Sequence, residues 1–178
     1  MKISPNILDG CRQQERCSQE SLYKIVYIDL IRVGLRYVSN KTDAEDILNK
    51  TMFKVFTKIL KFKGDNKNFG GWIRRILVNE AIDFIRSKKA FNAKHIPVAD
   101  FPESAIGVEE IMEEPSSILL LLDALPLKAK AVFNLYVIEG YKHQEISDVL
   151  GISVANSKWN LHLARKKLKK WIIEKELV

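Results

Sequence analysis

The chain reads as all-α: two small helical domains joined by an acidic linker. Three observations predict this. Long stretches carry apolar residues at helical spacing. The charge is uneven: residues 1–96 carry net +9, residues 97–117 carry net −6 with no basic residue, and residues 118–178 carry net +4. Three prolines punctuate residues 91–117, and like-charged, proline-containing segments resist packing. The expected domains are therefore residues 1–92 and 118–178, with 93–117 as the linker.

Ile7–Cys17 reads as a short helix. Gln19–Tyr37 reads as a long one, with Leu22, Ile25, Val26, Ile28, Ile31 and Leu35 in helical repetition. Ser39, Asn40 and Lys41 break it. Thr42 and Glu45 then stand at capping-box spacing, opening a helix to about Leu60. Leu48, Thr51, Met52, Val55, Ile59 and Leu60 make its inner face. Asp46, Asn49, Lys50 and Phe53 lie opposite, and an exposed Phe among charged groups suggests a partner surface. The alternative is that Phe53 tucks under a loop.

Lys61–Asn68 is a basic loop, suited to a nucleic-acid strand or simply a solvated connection. A helix is expected from near Trp72, after Gly70 and Gly71, to Lys89. Ile73, Ile76, Leu77 and Phe84 form one apolar face, and Val78, Ile82 and Ile85 a second. A helix apolar on two sides is packed between neighbours. Arg75, Asn79, Asp83 and Arg86 share the remaining stripe. That stripe can contact phosphates and base edges, or can be a solvated face.

Within the linker, Val108–Glu114 is expected to form a short acidic helical turn. Ile118–Leu125 then reads as a short helix, and Pro126 opens another over Leu127–Glu139, stopped by Gly140. His143–Leu150 is closed by Gly151, and Ser153 caps a last helix to about Lys175. Short helix, glycine turn and second helix make the helix-turn-helix pattern. On the last helix Ser157, Leu161, Ala164, Leu168 and Ile172 face inward. Ala155, Lys158, Trp159 and His162 face outward, offering charge for phosphate and a flat surface for bases. A plain surface cluster is the bland alternative.

A net charge of +7 favours a polyanion partner. No apolar run is long enough for a membrane span, no signal peptide is seen, and a cytosolic protein is expected. Cys11 and Cys17 lack a matching His/Cys pair, and His95, His143 and His162 are scattered. No metal or other cofactor is expected, and both thiols are expected half-buried in a reducing compartment.

In this order the motifs resemble bacterial RNA polymerase sigma factors of the sigma-70 family, extracytoplasmic-function (group IV) type. Asp43-Ala44-Glu45-Asp46-Ile47 and Phe53 are similar to the core-polymerase-binding helix, region 2.2. Phe69, Trp72, Ile76, Asn79, Asp83 and Arg86 match regions 2.3–2.4, which melt and read the −10 element. Leu125-Pro126, Glu139-Gly140, Glu145-Ile146, Leu150-Gly151-Ile152-Ser153 and Ala164-Arg165 match region 4, which reads the −35 element. Gly10-Cys11-Arg12 and the run Asn156 to Leu161 resemble versions common in Bacteroidota.

The resemblance implies docking on core polymerase, at its beta-prime clamp and beta flap, with Asp46, Asn49, Lys50 and Phe53 as the docking residues. It implies −10 contacts from Lys63, Asn66, Lys67, Trp72, Arg75, Asn79, Asp83 and Arg86. It implies −35 contacts from Asn156, Lys158, Trp159, His162 and Arg165. Duplex and melted promoter DNA are the implied substrates of binding, an anti-sigma factor is an implied partner, and no residue is catalytic. The chain departs from the family at Asn49-Lys50 (usually Gln-Glu), at Ala155-Asn156-Ser157 (usually Gly-Thr-Val) and at Leu163 (often Arg). It also has Lys142 where a Ser cap is usual, a loss of about 1 kcal/mol.

Two rivals remain. A stand-alone helix-turn-helix regulator explains residues 118–178 but not the N-terminal block. An enzyme using Glu80 and Asp83 as a carboxylate pair lacks a further acid, a His cluster or a phosphate loop.

Overall fold

The computed structural model describes residues 3–87 and 121–176. The expected linker, its Val108–Glu114 turn, Lys88, Lys89 and Ile118–Leu120 lie outside the described residues. The described regular structure is helical: α1 Pro5–Arg12, α2 Arg16–Leu35, α3 Lys41–Lys58 with a 3₁₀ turn Ile59–Lys61, and α4 Asn66–Ser87. Then come α5 Leu127–Phe133, continued by a π-turn Asn134–Ile138, α6 His143–Leu150 and α7 Val154–Glu176. The described residues form two compact units, 3–35 with 41–81, and 36–40 with 82–87 and 121–176.

In the first unit the expected helix Ile7–Cys17 is interrupted. Gln14 adopts a left-handed φ of 61°, and α1 and α2 turn back on each other there. Gly10 permits the approach: a Cβ there would lie 2.0 Å from Ser18 Oγ. Cys11 is buried, its thiol pushed up to about 11 by burial and then by Glu15, whereas Cys17 is exposed, so the two thiols are not alike. On α2, Leu22, Val26, Leu30 and Val33 make the buried stripe. Ile25 and Ile28 fall beside that stripe and are exposed, contrary to expectation. Leu60 is exposed too, because the chain tightens into the 3₁₀ turn at Ile59, which turns Ile59 in and Leu60 out.

Helix α3 starts at Lys41, so Thr42 lies inside the first turn rather than capping it. Helix α4 starts at Asn66 and runs through Gly70 and Gly71. A helical glycine costs about 1 kcal/mol, but this register fully buries Phe69 and Ile73, which outweighs it. Leu77, Val78, Ile82 and Ile85 are also buried, as a helix apolar on two sides requires.

In the second unit Leu122, Leu125, Ala129, Ala164 and Leu168 form the core, with Phe133, Leu163 and Trp171 packed partly against it. Leu163, where the family that the sequence resembles often has Arg, is thus an apolar packing residue in this chain. The inward row of α7 continues from Leu168 to Trp171, three residues on, and the expected Ile172 is exposed. Lys130 is sealed inside this unit. Its ammonium donates to Asp123 Oδ1, to the Val38 carbonyl at 3.2 Å and to Ser39 Oγ at 3.4 Å. Burial pushes the ammonium's pKa down, with Asp123 pulling the other way. Asn134 donates to the Arg36 carbonyl.

Candidate nucleic-acid interface

On α3 the residues Asp46, Asn49, Lys50 and Phe53 are all exposed, Phe53 to 70%. The buried side of the same helix carries Leu48, Thr51, Met52 and Val55. So the face is set by one helical period, and Phe53 is not tucked under a loop. Two tyrosines on α2 brace it. Tyr23 donates to Asn49 Oδ1 at 2.9 Å, and Tyr27 donates to Glu45 Oε1 at 2.8 Å. Glu45 is thus tied to the neighbouring helix. Its hydrogen bond, then burial, pushes the Tyr27 phenol up to about 12.

The second surface is the loop 62–65 and the outer stripe of α4. Arg75, Asn79, Asp83 and Arg86 are exposed along the helix, and Arg86 pairs with Asp83 at 3.8 Å. Lys63 and Lys67 are exposed, while Asn66 and Trp72 are half-buried. Asn66 and Lys67, expected in the loop, stand in the first turn of α4, which the Asn68 N–H closes by donating to the Asp65 carbonyl at 2.8 Å. The loop and the start of α4 also carry an aromatic trio. The Phe62, Phe69 and Trp72 centroids are 5.1 to 5.3 Å apart. Gly64 folds against it, since a Cβ there would meet Phe62 Cζ at 2.7 Å. Sequence reasoning missed Phe62; the signal was an aromatic flanked by Lys61 and Lys63 in a short loop. Glu80 is buried and ion-paired with Lys54, and Asp83 is exposed beside Arg86. Each carboxylate of the rival enzyme reading is therefore engaged by a cation.

The third surface belongs to α6 and α7. Gly151 takes a left-handed φ of 64°, which a non-glycine residue adopts at a cost, and ends α6. Ser147 Oγ donates to the Ile152 carbonyl at 2.6 Å, while the Ile152 N–H donates to the Ser147 carbonyl at 3.2 Å. Ser153 Oγ accepts from the Asn156 N–H at 3.1 Å, the expected cap. At the start of α6 half of a capping box survives: the Lys142 N–H donates to Glu145 Oε2 at 2.7 Å. A lysine side chain has no acceptor for the other half. On α7, Ser157, Leu161, Ala164 and Leu168 are buried, and Asn156, Lys158, Trp159, His162 and Arg165 are exposed. Asn160 is buried and donates to the Asn156 carbonyl at 2.9 Å and to Asn156 Oδ1. The Arg165 guanidinium lies 5.8 Å from the centroid of the Tyr136 ring.

Comparison with known proteins gives two family-model matches. Sigma-70 region 2 matches residues 22–91, and sigma-70 region 4 matches residues 116–168. The extracytoplasmic-function RNA polymerase sigma factor SigE of Mycolicibacterium smegmatis is 26% identical over 147 residues, 79% of this chain and 56% of that protein. RNA polymerase sigma factor SigV of Bacillus subtilis is 26% identical over 149 residues, 84% of this chain and 87% of that one. SigZ of the same organism is 31% identical over 137 residues, 75% of this chain and 77% of that one.

Proposed function

The chain belongs to the extracytoplasmic-function group of the sigma-70 family, polymerase-associated factors that direct transcription initiation, and on that premise we propose which surface does what. Residues 1–92 dock on core polymerase and hold the −10 strand, residues 93–117 are an acidic tether, and residues 118–178 read the −35 duplex. Asp46, Asn49, Lys50 and Phe53 meet the beta-prime clamp, and the second module meets the beta flap. The observation that carries the reading is α7. Its inner row is buried while Lys158, Trp159 and His162 stay exposed directly after a helix-turn-helix turn.

In the first module a melted strand lies along Lys63, Lys67, Arg75, Asn79, Asp83 and Arg86, with Asn66 and Trp72 at its edge. Unstacking a base costs a few kcal/mol, and stacking on an aromatic face returns about 1–3 kcal/mol per base. The half-buried rings of Phe62 and Trp72, packed on each other and on the buried Phe69 and close in sequence to Lys63 and Lys67, support that exchange. In the second module Asn156 and Arg165 flank the Lys158–Trp159–His162 patch and hold the backbone. The tether makes the second contact intramolecular, so two modest affinities combine. Its negative charge suits the basic RNA-exit path of polymerase.

Partners are thus core polymerase, duplex and melted promoter DNA, and an anti-sigma factor, in the cytoplasm. The role is binding, not catalysis. Run-off transcription with core polymerase on a randomised promoter library tests this. It should enrich two elements at a fixed spacing. Transcription that needs no added chain, with no co-purification of the chain and core polymerase, would sink the proposal and leave the stand-alone regulator.

A further inference from the structure

The recognition helix carries a buried hydroxyl. Ser157 lies on the inner row of α7 with Leu161 and Ala164, and none of its surface is exposed. A hydroxyl sealed there needs a hydrogen-bond partner, because leaving it unmade is costly. His143 supplies it: Nδ1 and Ser157 Oγ are 2.9 Å apart, joining the first residue of α6 to the first turn of α7. The imidazole is itself held. Its ring stacks on Tyr136 of the π-turn at 4.5 Å and 25°, and Tyr136 lies under the Arg165 guanidinium of α7. One turn further along α6, Ser147 ties the connecting loop through the Ile152 carbonyl. His143 and Ser147, four residues apart, thus form a polar seam that registers the two helices.

We propose that His143, seated on Tyr136, is a positioning residue for −35 recognition. It fixes the seat of the first turn of α7 through Ser157, and so the aim of Lys158 and Trp159, the next two residues. This rests on the reading of α7 as the −35 helix given above.

The test uses the full chain and a duplex selected with it from a randomised pool, beside the same duplex with the selected element scrambled. The readout is the ratio of the two affinities by fluorescence anisotropy, with thermal melting alongside. His143→Phe keeps a ring for Tyr136 but leaves the Ser157 hydroxyl unmet, and the ratio should fall about tenfold. Ser157→Ala should lower the ratio by a similar factor, and the double variant His143→Phe, Ser157→Ala should fall no further than either single, because His143 acts through Ser157. A ratio unchanged in folded His143→Phe overturns the proposal, and so does a double variant in which the two single losses add. If His143→Phe does not fold, ¹⁵N resonances of the histidine ring decide: Ser157→Ala should move the Nδ1 shift of His143, and an unmoved shift overturns the proposal. A pool that yields no enriched sequence with the unaltered chain overturns the −35 reading itself, and this inference with it.

Discussion

Phe53→Ala separates a docking face from a packing face. Phe53 is 70% exposed, and a phenylalanine offers about 150–250 Å² to bury. Some 140 Å² is thus on offer to a partner, which at about 25 cal/mol per Å² amounts to roughly 3.5 kcal/mol. Alanine keeps its Cβ, so the loss on truncation should be about 2–3 kcal/mol, or roughly 30–150-fold in Kd for core polymerase. Stability should barely change, because little of the ring is packed in the free chain. Anisotropy of labelled chain titrated with core polymerase measures the first, and urea unfolding the second. A Kd within about threefold of the unaltered chain, with the fold intact, would refute the assignment of this face. A loss of stability as large as the loss of affinity would refute it too.

Trp159→Ala should cut discrimination between a −35 duplex and its scrambled form by about 1–3 kcal/mol in an anisotropy assay, with the melting temperature little changed since the ring is 54% exposed. Lys130→Ala should lower stability by about 3–5 kcal/mol in urea unfolding, because it strands Asp123 and the buried Val38 carbonyl. Replacing Lys130 and Asp123 together by Met and Leu should recover most of that. In alkaline titration followed by ultraviolet absorbance, Tyr27 should ionise at about 12, and Glu45→Gln should bring it down. The sign is that of a raised pKa: stability from this bond is full below the ordinary tyrosine value and fades as pH climbs toward 12. Gly71→Ala should raise stability by about 0.5–1 kcal/mol in thermal melts, since nothing lies within 4 Å of the added Cβ and the position is helical.

Much of the helical plan was legible because period alone decides it. The inner row Ser157, Leu161, Ala164 and Leu168 and the outer Lys158, Trp159 and His162 fall where a 3.6-residue repeat puts them. Local rules failed where packing outweighed them. Two glycines suggested a helix start at Trp72, yet burial of Phe69 carries the helix through both. Thr42 and Glu45 had capping-box spacing, but Glu45 bonds to Tyr27, eighteen residues earlier. Leu60 falls in the 3₁₀ turn that follows α3, and on α7 the inward row steps by three from Leu168 to Trp171, which leaves Ile172 outside. Lys130 was invisible for a different reason. Its acceptors Val38 and Ser39 are 92 and 91 residues away in sequence, and no composition rule pairs residues at that distance. The role of His143 was hidden likewise, because a buried serine on an apolar row reads as harmless until its partner is seen.

On the docking face proposed above, the bond from Tyr23 to Asn49 bears on how fast the chain meets core polymerase. A surface amide left free samples several rotamers and must surrender them at the moment of contact. Here one has been selected in advance by a neighbour on the same rigid body, beside a second tyrosine that fixes Glu45. Capture of such a pre-shaped ridge loses less side-chain entropy and asks for less rearrangement after collision. Removing the phenol with Tyr23→Phe would then tell on the rate of association more than on the fold.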